Sequence, residues 1–271
     1  MHFTTSVIVF SADYGERYPR DVFGNVAQFL DDDPSEVVVL LFQASSGRES
    51  LVWNELHREM AAAAGLADRI YAHQRGTRWP TMGELVDSDR RVLAFYFNGG
   101  TCDDGGCPPG FHPFYNYAAE TQYQSSSLDD LRDYEYSCEI TRGPKEDAAF
   151  GPDFLVVNNF VTPPDFDAAA ITNSRAFLAE RLTNCANRAQ MRPNFVYLDF
   201  WSQGVTAQVR LLLGKVFSVL FAVRSKIVAP TIVCSWCNTQ INKLQRDWGS
   251  RIQCPPNPMV MEYGSLSMYI F

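Results

Sequence analysis

Four apolar runs in this sequence end on side chains that can hydrogen-bond. "VVVLLF" (37–42) runs into Gln43, "VLAFYF" (92–97) into Asn98, "FLVV" (154–157) into Asn158 and Asn159, and "FVYL" (195–198) into Asp199. Carboxamides can orient a polar ligand, and a carboxylate beside a histidine can tune proton transfer near neutral pH. Asp199 is the ionisable member of the set. Gln43, Asn98, Asn158 and Asn159 are pocket candidates. His112, in "GFHPFYNY", joins them because the aromatic stretch around it could fold over the pocket. His57 reads as helix surface and His73 as a loop residue. The plainer alternative is that strands must exit into polar residues and that Asp199 only accepts hydrogen bonds from backbone amides at the rim.

The elements that would position these residues are readable. Short, continuously apolar, β-branched-rich runs are the pattern of strands buried on both faces. Between them lie helical stripes: Val22, Phe23, Val26, Phe29 and Leu30 behind a capping Asp21; Trp53, Leu56 and Met60 up to Gly65; and Phe177, Leu178, Leu182 and Cys185 on a helix over 171–187. "TMGE" (81–84) has capping-box spacing and opens a short helix to Val86. Strands alternating with such helices imply an α/β fold with a parallel sheet, and in a barrel the strand ends meet at one mouth. Residues 99–152 are rich in Gly, Pro and aromatics without periodicity, which predicts a packed loop insertion.

Composition narrows the classes. The 271 residues include 23 basic and 31 acidic side chains, net charge −8, which argues against a nucleic-acid partner. The balance is uneven: −13 over residues 1–204 and +5 over 205–271. The apolar run "VFSVLFAV" (216–223) is far short of the roughly 20 residues a spanning helix needs, so no transmembrane segment is expected. No secretory leader pattern is visible at the first residues. Cys102 and Cys107 bracket a tight "DDGG" turn, and Cys138 with Cys185 is a possible second pair; four such cysteines favour an extracellular or secretory-pathway chain. Cys234 and Cys237 form a lone CxxC without the second pair of a structural zinc site, so no metal site is expected.

The blocks "FLDDDPSEVVVLLFQ", "WPTMGELVDSDRRVLAFYFNGG", "FLVVNNFVTP" and "RPNFVYLDFW" occur in one order and spacing over residues 20–204. Together they resemble the phosphatidylinositol-phospholipase-C-like phosphodiesterases with a single PLC-like TIM-barrel domain. The resemblance implies a (β/α) barrel and a phospholipid or other phosphodiester substrate. It implies a mechanism in which a substrate hydroxyl attacks phosphorus, one histidine acts as base, a second protonates the leaving group and arginine steadies the phosphate. Asp199 matches the late aspartate that tunes a histidine. It leaves the need for a divalent cation open, and names no cofactor.

The chain departs from that pattern. The family's two histidines belong on the first and third strands, upstream of the "VFGNVAQFL" helix, where this chain has only His2; Phe10-Ser11 lies near the expected position of one of them. Gln43 stands where many relatives carry an acidic residue. The expectation is an incomplete barrel over 1–208, with the 99–152 insertion, an atypical tail over 209–271, and no activity of its own. The alternative is a catalytically dead barrel-like protein that binds a ligand or partner. A glycoside hydrolase would need two carboxylates at strand ends and finds only Asp199. A barrel without its early strands would expose Val37–Phe42 as an apolar edge unless the tail covers it.

Overall fold

The computed structural model describes residues 8–11, 19–44, 52–63, 65–97, 102–144, 150–200, 220–223 and 266–270. Its strands are β1 (Ile8–Ser11), β2 (Val38–Ala44), β3 (Val92–Tyr96), β4 (Phe111–Pro113), β5 (Ala118–Thr121), β6 (Ile140–Arg142), β7 (Phe154–Asn159), β8 (Pro193–Leu198), β9 (Leu220–Val223) and β10 (Leu266–Ile270). The helices are α1 (Pro19–Asp32), α2 (Trp53–Ala62), α3 (Met82–Asp87), α4 (Leu128–Arg132), α5 (Tyr134–Ser137), α6 (Phe166–Thr172) and α7 (Arg175–Ala189).

The strands form two five-stranded sheets, β1-β10-β2-β3-β4 and β6-β5-β7-β8-β9. Both cores are parallel, β2 with β3 and β4, and β5 with β7, β8 and β9. The antiparallel members sit at the margins: β10 on β2, β1 on β10, and β6 on β5. The fold is therefore α/β with parallel sheets, and among the described residues the pairing does not close into a ring. The tail covers Val37–Phe42, because β10 hydrogen-bonds along β2 from Leu266 opposite Ala44 to Ile270 opposite Leu40.

Side chains alternate across each strand, and this sorts the core into layers. On one face of β2, Val38, Leu40 and Phe42 pack against Phe23, Val26 and Leu30 of α1 and Trp53, Leu56 and Met60 of α2. Leu155 and Val157 of β7 and Val196 and Leu198 of β8 pack against Leu178, Leu182 and Cys185 of α7. The opposite faces meet one another. Val39 and Leu41, Phe95, Phe114, Tyr117, Ala118, Val156 and Phe195 form one cluster drawn from both sheets. Phe114 stands edge-on to both Phe95 and Phe195, at 5.6 and 5.4 Å between centroids. Each fully buried phenyl or leucyl group here contributes roughly 1.5–3 kcal/mol.

The 99–152 stretch is built into this frame. β4 continues the first sheet, a 3-10 turn at Phe114–Asn116 follows, and β5 enters the second sheet beside β7. These strands are three and four residues long, too short for a period-2 pattern to register.

Local chemistry fixes several ends. Thr81 accepts from the Glu84 amide while the Glu84 carboxylate accepts from the Thr81 amide, so the capping box forms. α1 begins at Pro19, which puts Asp21 in its first turn rather than at its cap. The helix expected over 171–187 is two helices, α6 and α7, because Ser174 caps a new start by accepting from the Phe177 amide. Cys102 is bonded to Cys107, and Cys138 to Cys185. The second bridge joins the end of α5 to α7 across a separation of 47 residues, enough by the chain-entropy argument for about 4 kcal/mol.

Candidate functional site

Carboxy-terminal strand ends carry a row of polar side chains on one face of the second sheet. Glu120 of β5 lies opposite Val156 of β7, whose side chain faces the shared core, and opposite Arg142 of β6. Asn158 follows Val156 by two residues and lies opposite Tyr197 of β8, and Asp199 follows Tyr197 by two. Period-2 alternation therefore aims Arg142, Glu120, Asn158 and Tyr197 to the same side, across four adjacent strands, and Asp199 ends the row in the bend directly after β8. At a strand spacing near 4.8 Å that row is roughly 14 Å wide.

Its members are tied together. Arg142 Nη2 lies 2.7 Å from Glu120 Oε1. The Asn158 amide Nδ2 donates to the same Oε1 at 2.9 Å and to the Thr121 carbonyl at 2.9 Å. Glu120 is 1 % exposed, whereas 38 % of the Arg142 side chain remains open. The guanidinium lies over the Tyr123 ring at 4.0 Å and the Tyr115 ring at 5.1 Å. Burial, and then the Glu120 charge, push the Tyr115 phenol above its ordinary range. Gly143 follows Arg142 at φ +89, and a Cβ there would sit 1.9 Å from the Ala118 carbonyl oxygen. Glycine is what lets β6 leave β5 directly after the arginine.

A second arginine supports the row from behind. Arg181 of α7 is fully buried and donates from Nε and Nη2 to the Asn158 carbonyl, at 3.1 and 2.7 Å. Its other bonds reach the Leu131 carbonyl, the Ser137 carbonyl and the Ser137 hydroxyl. Burial lowers this guanidinium to about 10, so it stays charged at neutral pH.

The expected site residues fall in different places. Asn158 and Asp199 share the row; Asp199 is 3 % exposed and both its carboxylate oxygens are buried. Asn159 faces the helix layer, where it donates to the Thr172 carbonyl at 3.0 Å. Asn173, beside it, donates to the Asp199 carbonyl at 2.9 Å and so pins the turn after β8. Gln43 is exposed at the end of β2, and Asn98 lies outside the described residues. His112 is at the other end. It sits in β4, and its Nε2 accepts from the His73 amide at 3.1 Å. His73 stacks on Trp79 at 3.8 Å, and Trp79 packs on Tyr117 and Phe154 at the amino-terminal ends of β5 and β7. Burial and the His73 ring lower His112 to about 4, and burial also lowers His73. His57 is on α2, edge-on to Phe111.

Glu120, Arg142, Tyr115 and Tyr123 went unseen in the sequence. Glu120 and Arg142 lie on strands of four and three residues, and only the antiparallel register of β5 and β6 brings them together. Among the described residues, no group of three or more His, Cys, Asp or Glu could hold a metal ion, and no helix is long and apolar enough to cross a membrane.

The family model described as PI-PLC X 1 matches residues 12–214. The chain belongs to this family. No curated protein and no solved structure matches it. The PI-PLC X match covers both sheets from α1 through β8 and includes the whole polar row. Phosphodiesters are thus the chemistry against which the row is to be judged.

Proposed function

We propose that this chain binds phosphodiesters, phospholipids among them, at the carboxy-terminal ends of β5 to β8, on part of a PLC-like TIM (β/α) barrel, and that it does not hydrolyse them on its own. Its lineage is that of the phosphoric diester hydrolases of the phospholipase C type. The barrel reading is supported by the core shared between the sheets and by the segment 111–121, which leaves one sheet and enters the other. The two disulfides suit folding in an oxidising compartment.

The placement of the histidines carries the proposal of inactivity. Attack by a hydroxyl on phosphorus needs a base, and the leaving oxygen needs an acid, both with pKa near the working pH. Of the described histidines, His57 lies on α2, and His73 and His112 lie at the far end of the strands. His112 is held neutral at pH 7 with its Nε2 already accepting a backbone amide. Within the row, Glu120 is buried and its Oε1 is shared by Arg142 and Asn158.

Release of p-nitrophenol from bis(p-nitrophenyl) phosphate by the purified chain is the test. The expected result is the buffer rate for the wild type and Asp199→Asn alike. Turnover by the wild type that disappears in Asp199→Asn would overturn the proposal and make Asp199 catalytic.

A further inference from the structure

We infer that Arg142 is an anion subsite, taking an oxyanion of a phosphodiester between the rings of Tyr115 and Tyr123. This rests on the phosphodiester-binding reading above and assigns a residue to it. The guanidinium spends one nitrogen on Glu120, through Nη2 at 2.7 Å, and its Nε is buried. Nη1 is left to meet a ligand, on a side chain 38 % exposed. An arginine merely tied to a carboxylate would need neither flanking ring. Here the rings hold the planar fork in place, and cation–π contact lowers the freedom lost when it binds.

The fork is also oriented from below by a fixed chain of bonds. Arg181 holds the Asn158 carbonyl, Asn158 holds Glu120 Oε1, and Glu120 holds Arg142. Glu120 is buried while Arg142 is not, so an approaching anion meets the cation first. Arginine suits this role because its delocalised charge can bond a carboxylate on one edge and a phosphate oxygen on another. A lone lysine could not present two fixed edges at once.

The probe is diethyl phosphate, titrated into the purified full chain and followed by phosphorus NMR line broadening. Arg142→Lys and Arg142→Gln should each weaken binding by about tenfold, the worth of one charge-assisted hydrogen bond. Tyr123→Leu should weaken it by about threefold through the lost ring contact. Arg142→Gln alone leaves Glu120 buried without its cation, so the double variant Glu120→Gln/Arg142→Gln serves as the folded reference, checked by thermal melting. It too should lose about tenfold. If the double variant binds within about twofold of wild type, the subsite is overturned while phosphodiester binding stands. If the wild type shows no saturable broadening, both the subsite and the binding reading fall.

Discussion

At the amino-terminal ends of β4, β5 and β7, Trp79, His73, Tyr117, Phe154 and His112 pack ring on ring, and both lowered histidines are neutral. Toward the carboxy-terminal ends of β5, β7 and β8, with β6 alongside, the second sheet presents Arg142, Glu120, Asn158 and Asp199. At the first end a cation, Arg75, rests on the faces of Tyr117 and Phe150, whereas at the second Arg142 is tied to a buried carboxylate. Both ends contain titratable groups, so residue type alone does not distinguish a site from a plug. What distinguishes them is whether a charged group has been given a fixed partner and an open edge. His112 has backbone partners and no charge; Arg142 has a buried carboxylate and remains partly open.

Removing the support of the polar end should have the largest effect. Arg181→Met strips hydrogen bonds from the Asn158, Leu131 and Ser137 carbonyls and should cost about 3–5 kcal/mol in urea unfolding. It should also weaken diethyl phosphate binding, since Asn158 loses its anchor. Gly143→Ala comes next, at about 2 kcal/mol or more, because φ +89 and the Ala118 carbonyl both oppose a Cβ. A Gly143→Ala chain as stable as wild type would show that β6 is not held where the row requires it.

The closed end should respond to pH. His112 titrates near 4 in the fold against an ordinary 6.5, so the unfolded chain takes up its proton first as pH falls. The stability it allows is intact above about 6.5 and is lost progressively down to about 4. Discounted for its partial exposure, the loss should be about 1–2 kcal/mol, and His112→Gln should flatten it in melts run across that window. An unchanged pH slope in His112→Gln would mean the aromatic end tolerates charge after all. Thr81→Ala is the smallest change, about 1 kcal/mol from the lost cap, with no effect on ligand binding because α3 lies away from the row.

The sequence made the long buried strands legible and the short ones illegible. β2, β3, β7 and β8 are continuous apolar runs, and that is a direct consequence of having a helix layer on one face and the shared core on the other. The capping box at Thr81 and Glu84 and the pair Cys102–Cys107 are local, so they too could be read, whereas Cys138–Cys185, separated by 47 residues, is only a possible pairing until the fold joins it. β4, β5 and β6 carry no pattern because three or four residues cannot show a period. Two members of the polar row, Glu120 and Arg142, lie on them. Asn158 and Asn159 look equivalent in sequence, yet alternation sends one to the row and the other to Thr172. Only the register of the neighbouring strands tells them apart.

The joint between β4 and β5 measures length. Pro113 ends one sheet strand and Ala118 begins the other, with Phe114–Asn116 wound between them. Deleting or adding one residue there, with β4 held against β3, would present Thr121 or Ala119 where Glu120 now stands. Residue count in this stretch is therefore constrained alongside its buried rings, Phe114 and Tyr117. Among descendants of this gene, length changes should collect in the outer loops and be purged between His112 and Glu120.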